Sequence, residues 1–212
     1  MAQQAGQGSA APIDPAERRV LLVRHGETEW SRDKRHTGLT DVELTAVGEQ
    51  QARNLAAVFG GLRPAAVWCS PRRRARRTAE LAGLPNVVVD DDLREWEYGE
   101  YEGLTTAQIR QLRPQWTIWT GDPPGGETAS EVSARADRVL QRVLAIPQDG
   151  DVVLVGHGHF SRVLAARWLG LPATAGELFA LDTATVCVLG FERDHAVLLH
   201  WNVPAAAAGA VL

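Results

Sequence analysis

Two apolar runs that end in nearly the same triplet constrain this chain more than any other feature. Leu21-Leu22-Val23 runs into Arg24-His25-Gly26, and Val152-Val153-Leu154-Val155 runs into Gly156-His157-Gly158. Short, continuous Leu- and Val-rich runs read as strands buried on both faces, the kind found in parallel sheets with helices on each side. In such sheets, ligand-binding residues gather at the carboxyl ends of the strands. If the two runs are central and parallel, both histidines emerge at the same edge of one sheet.

The intervening sequence supplies the helices and further strands. A first strand over 19–23 is followed by a polar loop, 26–40, and then a helix over 44–59. That helix has Val47, Ala52, Leu55, Ala56 and Phe59 on its apolar face, and Gly60-Gly61 stops it. A strand over 65–70 leads into Pro71, which opens a helix to about 82. A short strand at 87–89 precedes a loop, 93–99, that mixes charge with aromatics. Thr105 with Gln108, and Thr128 with Glu131, have capping-box spacing for helices ending near 112 and 146. The second presents Val139, Leu140, Val143 and Leu144 on its apolar face. After the strand at 151–155 come a helix over 160–169 and two alternating strands, 184–191 and 196–201, joined by a hairpin turn. Strands alternating with helices make the class α/β, a three-layer α/β/α sandwich around a mostly parallel sheet. The domain is expected over 19–203, with a disordered Ala-, Gln- and Gly-rich tail at 1–18 and a small-residue tail at 204–212.

Composition removes several classes. A net charge of −4 does not suit nucleic acid or an anionic membrane. No apolar run reaches the roughly 18 residues that span a bilayer, and the first 19 residues lack the apolar core of a secretion signal. Cys69 and Cys187 read as core thiols in a reducing cytosol, so a cytoplasmic location is expected. The hairpin near the C-terminus offers a sheet edge through which a homodimer is conceivable.

A facing pair of imidazoles can bind a metal, run acid–base chemistry, or hold a phosphoryl group with one ring as nucleophile. The arginines argue for the third. Arg24 adjoins His25, Arg162 follows His157, and Arg72-Arg73-Arg74-Ala75-Arg76-Arg77 opens a helix whose free amides suit an anion. That much positive charge opposes a divalent metal, which wants carboxylates and His at ligand spacing; the His157-x-His159 pair is a weak metal signal. Most of the arginine run belongs on a solvated face, with one or two members aimed inward. A carboxyl proton donor is still needed. Glu95, set between Arg94 and Trp96 with Tyr98 nearby, is in the surroundings that desolvate a carboxyl, as a general acid requires. The loop alone does not choose between Glu95, Glu97, Glu100 and Glu102.

These residues occur in an order that resembles the histidine phosphatase (phosphoglycerate mutase-like) superfamily. The matching pieces are Leu22 to Trp30, Thr37-Gly38 with Leu44-Thr45, Cys69-Ser70-Pro71 with Arg74-Ala75 and Thr78-Ala79, and Leu93-Arg94-Glu95 with Gly99 and Glu102-Gly103. Gly126-Glu127-Thr128 and Val155-Gly156-His157-Gly158 complete the set. The resemblance implies a phosphoglycerate mutase-like fold, with His25 as the nucleophile and Glu95 as the proton donor. By the same resemblance Arg24, Arg74 and His157 form the phosphate pocket, and neither metal nor cofactor is needed. More narrowly, Arg35 to Asp41, Leu93 to Gly99, Tyr101-Glu102-Gly103 and Ile118-Trp119 resemble actinobacterial acid phosphatases and sedoheptulose-1,7-bisphosphatases. That likeness implies that Thr37, Gly38, Trp96, Tyr98 and Arg162 shape the substrate site. Ser31 stands where many relatives carry Asn, at a position expected to meet phosphate. The stretch from Gly103 to Gly126 is shorter than in cofactor-dependent mutases, which places hydrolysis of a small phosphorylated metabolite ahead of a mutase activity. A binding module that has lost turnover is disfavoured, because nucleophile, pocket and donor are all present.

Overall fold

The computed structural model describes residues 18–147 and 150–210. In chain order the elements are β1 (Val20–Arg24), α1 (Glu29–Arg32), α2 (Ala46–Asn54), α3 (Ala56–Phe59), β2 (Ala66–Cys69), α4 (Arg73–Leu81) and β3 (Val88–Val89). They continue with α5 (Thr106–Leu112), α6 (Ala129–Leu144), β4 (Val152–Gly156), α7 (Gly158–Trp168), β5 (Thr185–Glu192), β6 (His195–Pro204) and α8 (Ala205–Ala208). Short 3₁₀ helices occupy Asp91–Leu93, Gly99–Tyr101 and Ala173–Leu178.

The six strands form one sheet in the order β3-β2-β4-β1-β5-β6. The β1–β4, β2–β4 and β2–β3 pairs are parallel, and only β5 runs against its neighbours. Alternation along the central strands divides the core. Val20, Leu22, Val152 and Leu154 face α6 and α7 through Val139, Val143, Val163 and Leu164. Leu21, Val23, Val153 and Val155 face the other way, onto Leu55, Phe59, Ala75 and Ala79. Strands apolar on both faces therefore sit where a helix layer covers each face, which gives the three-layer α/β sandwich.

Register makes the site. Arg24 lies opposite Gly156, so His25 and His157 are the next residues on adjacent strands. The His25 amide donates to Gly156 O at 3.0 Å, which closes the two ends together.

Several local readings change. The helix expected over 44–59 breaks at Leu55, where tighter i to i−3 bonds turn Val58 and Phe59 inward. Val47 is exposed because Gly48 is the residue that must face the β1 loop; a Cβ there would fall 2.0 Å from Glu27 O. Leu144, at the end of α6, is also exposed. The loop after β1 contains a helical turn, α1, with its own capping box between Thr28 and Ser31. Arg18, assigned to the disordered tail, is buried and donates to Ile146 O at 2.6 Å and Gly150 O at 3.1 Å. The rest of that tail, and residues 211–212, lie outside the described residues. The C-terminal tail begins as α8, whose Ala208 is buried beside Leu55 and Val58.

Candidate active site

A cavity of about 270 Å³ opens at the carboxyl ends of β1 and β4. Its floor is Arg24, His25, Glu95 and Gly158, and its walls and mouth include Ser31, Lys34, Arg35, His36, Thr37, Tyr98, His159 and Arg162.

His25 Nδ1 lies 2.7 Å from Gly26 O. A carbonyl only accepts, so Nδ1 carries the proton and Nε2 keeps its lone pair. Burial, then the cations of Arg74 and Arg24, pushes the His25 pKa well below the ordinary histidine range. The ring is thus neutral and its free nitrogen is nucleophilic. Gly26 is itself held by Thr78, whose hydroxyl accepts the Gly26 amide at 3.0 Å. It must be glycine, because a Cβ would fall 2.4 Å from Gly48 O.

His157 packs edge-on to His25, with ring centroids 5.2 Å apart. Arg74 Nε donates to its Nδ1 at 3.2 Å, so Nε2 carries the proton and donates to Ser70 Oγ at 2.6 Å. Burial and Arg74 hold this ring neutral as well. Arg74 also donates to the carbonyls of Thr37, Gly38 and Thr40. Both side chains are wholly buried, and they form the backing behind His25 rather than its exposed wall. Arg24 differs. Its Nη1 donates to Leu181 O, but its buried Nε has no partner among the described residues, and the side chain lines the cavity. An unpaired buried cationic donor is what an incoming anion satisfies.

Glu95 is buried at the start of α7. Its Oε1 accepts the amides of Trp96 at 2.9 Å and Phe160 at 2.8 Å, and Oε2 accepts that of His159 at 3.0 Å. The helix amides orient the carboxyl, and Oε2, with one donor, is the oxygen with room for a proton. The sequence also offers the head of α4 to an incoming anion. There the Arg73 amide already donates to Asp41 at 2.7 Å, so the protein's own carboxylate occupies it. Of the arginine run Arg74 bonds into the site, and Arg72, whose buried Nε has no partner among the described residues, adds its charge beside His157; Arg73 and Arg77 pair with Asp41, Glu43, Glu49 and Glu80 outside.

The residues expected to hold the substrate divide. Ser31, Thr37, Tyr98 and Arg162 line the cavity. The Ser31 hydroxyl is also engaged in the α1 cap. Trp96 and Gly38 do not line it. Trp96 is fully buried with its indole donating to Glu127 O at 2.7 Å, and Gly38 is clamped by the Glu102 carboxylate at 2.9 Å. Trp96 stands behind the wall because interleaved aromatics in its loop fill the core under α5 and α6, and Gly38 packs directly against that loop at Trp96 O and Tyr98. Lys34, Arg35, His36, Thr106, His159 and Leu181 complete the lining, and no motif in the sequence marks them as substrate contacts. Lys34 and Arg35 are exposed, and Lys34 adopts a left-handed φ of 58°. Tyr98, its pKa raised by burial, keeps its proton and donates to His159 Nδ1 at 2.6 Å. His157 and His159 therefore turn to different partners and do not converge as a ligand pair. Arg162 lies over the Trp119 ring at 4.5 Å and donates to Gly176 O and Glu177 O.

A family model for the histidine phosphatase superfamily (branch 1) matches residues 20–204. The chain belongs to the histidine phosphatase superfamily. It is a phosphatase by its likeness in sequence. The chain is 48% identical over 177 residues to an acid phosphatase of Mycobacterium tuberculosis, covering 82% of this chain and 87% of that one. It is 39% identical over 184 residues to a sedoheptulose 1,7-bisphosphatase of Saccharomyces cerevisiae, covering 72% and 68%. The solved structure of an open reading frame product of Mycobacterium tuberculosis superposes with a TM-score of 0.85 at 45% identity, over 89% of this chain and 98% of that one.

Proposed function

We propose that this histidine phosphatase hydrolyses small phosphate monoesters through a phosphohistidine on His25, without a metal. The observation that carries the reading is the His25 tautomer: Nδ1–H bonds Gly26 O, leaving the Nε2 lone pair free on a ring that lines the same cavity as Arg24, whose Nε is unpartnered. Nε2 attacks phosphorus as the bond to the leaving oxygen breaks, and Glu95 gives that oxygen a proton. Arg24 takes the phosphoryl oxygens directly, while Arg74 and His157 fix the ring and its field from behind. Glu95, now a carboxylate, takes a proton from the water that cleaves the N–P bond.

The far end of the substrate meets Thr37, Tyr98 and Arg162. Arg162 suits a second phosphate or a carboxylate, and the likeness to the yeast bisphosphatase supports a sugar phosphate among the candidates. Exposure of the enzyme to a ³²P-monoester should leave an acid-labile, base-stable label on the wild type and none on H25A. H25A that keeps the label or full turnover overturns the reading. A mutase in its place would hold the label for minutes and pass it to an added phosphoglycerate rather than to water.

A further inference from the structure

Glu95 must be held to within a fraction of an ångström to hand over a proton, yet it stands on a loop. What holds the loop is Arg135, on the second turn of α6 and fully buried. A guanidinium has five N–H donors, and here each has an acceptor. Nε and Nη2 take the Glu127 carboxylate at 3.0 and 2.6 Å. Nη1 takes Asp92 O at 2.9 Å and Arg94 O at 2.6 Å, and Nη2 also reaches Glu95 O at 3.4 Å. Glu127 in turn accepts Arg94 Nη2 at 3.1 Å and the Glu97 amide at 3.0 Å, and its own amide donates to Glu97 O at 2.9 Å. Its carbonyl takes the Trp96 indole. The same guanidinium lies 4.4 Å over the Phe160 ring, and the Phe160 amide is one of the donors to Glu95 Oε1. One buried ion pair thus ties the backbone on both sides of Glu95 and the helix turn that receives its carboxyl.

We propose that Arg135 and Glu127 are positioning residues for proton transfer by Glu95. The proposal rests on Glu95 being the proton donor. Neither residue touches the cavity, and neither would carry the proton. Lysine cannot replace the fork, having one nitrogen where five directed donors are in use.

The test is kcat/KM of the full chain across phosphate monoesters from p-nitrophenyl through phenyl to alkyl, because only poor leaving groups need the acid. Stability is followed by thermal midpoint, with Val139→Ala, one turn along the same buried face of α6, as a control for simple loosening. R135K should lose about thirty- to a hundredfold on alkyl esters and less than about threefold on p-nitrophenyl phosphate, as misplacement of an acid predicts. V139A should lower the midpoint while leaving the dependence on leaving group as in the wild type. E127Q keeps the side-chain volume and runs the same test where R135K does not fold. A steep series for E95Q with a flat one for R135K and E127Q overturns the clamp alone. A flat series for E95Q overturns the proton-donor reading, and the clamp with it. Equal losses across all esters in R135K and V139A also overturn the clamp, since loosening would then account for both.

Discussion

The floor and the mouth of the cavity are built on opposite plans. His25 and Glu95 on the floor, and Arg74 and His157 behind it, are buried, and backbone atoms or each other's nitrogens hold their polar ends. At the mouth, Lys34 and Arg35 stand in solvent, and the ion pair of Arg35 with Asp33 is loose at 3.9 Å. Chemistry needs atoms fixed before the substrate arrives, and burial removes the water that would weaken the field. Recognition of a substrate's far end tolerates exposed, rotatable cations, each worth little in water. The floor should decide whether any ester is cleaved, and the mouth which ester is preferred.

Four measurements can break or sharpen that division. The largest effect is expected at Arg24. R24M should lower kcat/KM by about a hundred- to a thousandfold on every ester, p-nitrophenyl phosphate included, as loss of one transition-state donor predicts. A loss confined to large substrates would move Arg24 to the mouth. Next is Gly158, where a Cβ would lie 3.3 Å from Arg24 Nε. G158A displaces that guanidinium slightly and should cost about three- to tenfold in kcat on all esters, because small misplacements tax the reacting geometry. Unchanged kcat would show that the floor has more slack than its bonding suggests.

At the mouth the effect is smaller and selective. K34M should raise KM about two- to fivefold for a sugar bisphosphate and leave p-nitrophenyl phosphate unmoved, as one exposed charge contact implies. Equal changes for both esters would erase the distinction between the regions. The last prediction concerns stability. His36, packed against Tyr98 and stacked on His159 at 5.8 Å, has its pKa lowered by burial to about 4. Its unfolded form takes up a proton near the ordinary 6.5 while the folded form does not, so stability is complete above that value and falls as pH drops toward 4. Between pH 7 and 5 this one ring should cost on the order of 2 kcal/mol, or a thermal midpoint lower by about 4–8 °C. H36F should flatten that part of the profile; an unaltered slope would assign the loss to His25, His157 and His159, which burial also holds neutral.

The histidine phosphatase frame was legible in the sequence because its signals are local. Apolar runs, paired His-Gly ends, capping boxes at Thr105 and Thr128, and the Gly60-Gly61 stop each act over a few residues, and the corresponding strands and helices are present. The family motifs also matched a chain whose site gathers His25, Glu95 and Arg24 round one cavity. Trp96 was misplaced because sequence order cannot tell an aromatic that faces a ligand from one that packs beneath it. Lys34 and Arg35 were passed over because exposed cations in a polar loop look alike until a cavity selects some of them.

What the sequence by itself determined is which residues end strands, which cap helices, and which side chains have the chemistry to attack a phosphate. What only the tertiary structure decided is direction. The pairing of Arg24 with Gly156 sets two histidines side by side from positions 132 residues apart, as His25 and His157. The Gly26 carbonyl then chooses which nitrogen of His25 is free, and the head of α7 receives the Glu95 carboxyl while Asp41 takes the head of α4. Strand register and buried hydrogen bonds arise between elements distant in the chain, so no window of sequence contains them.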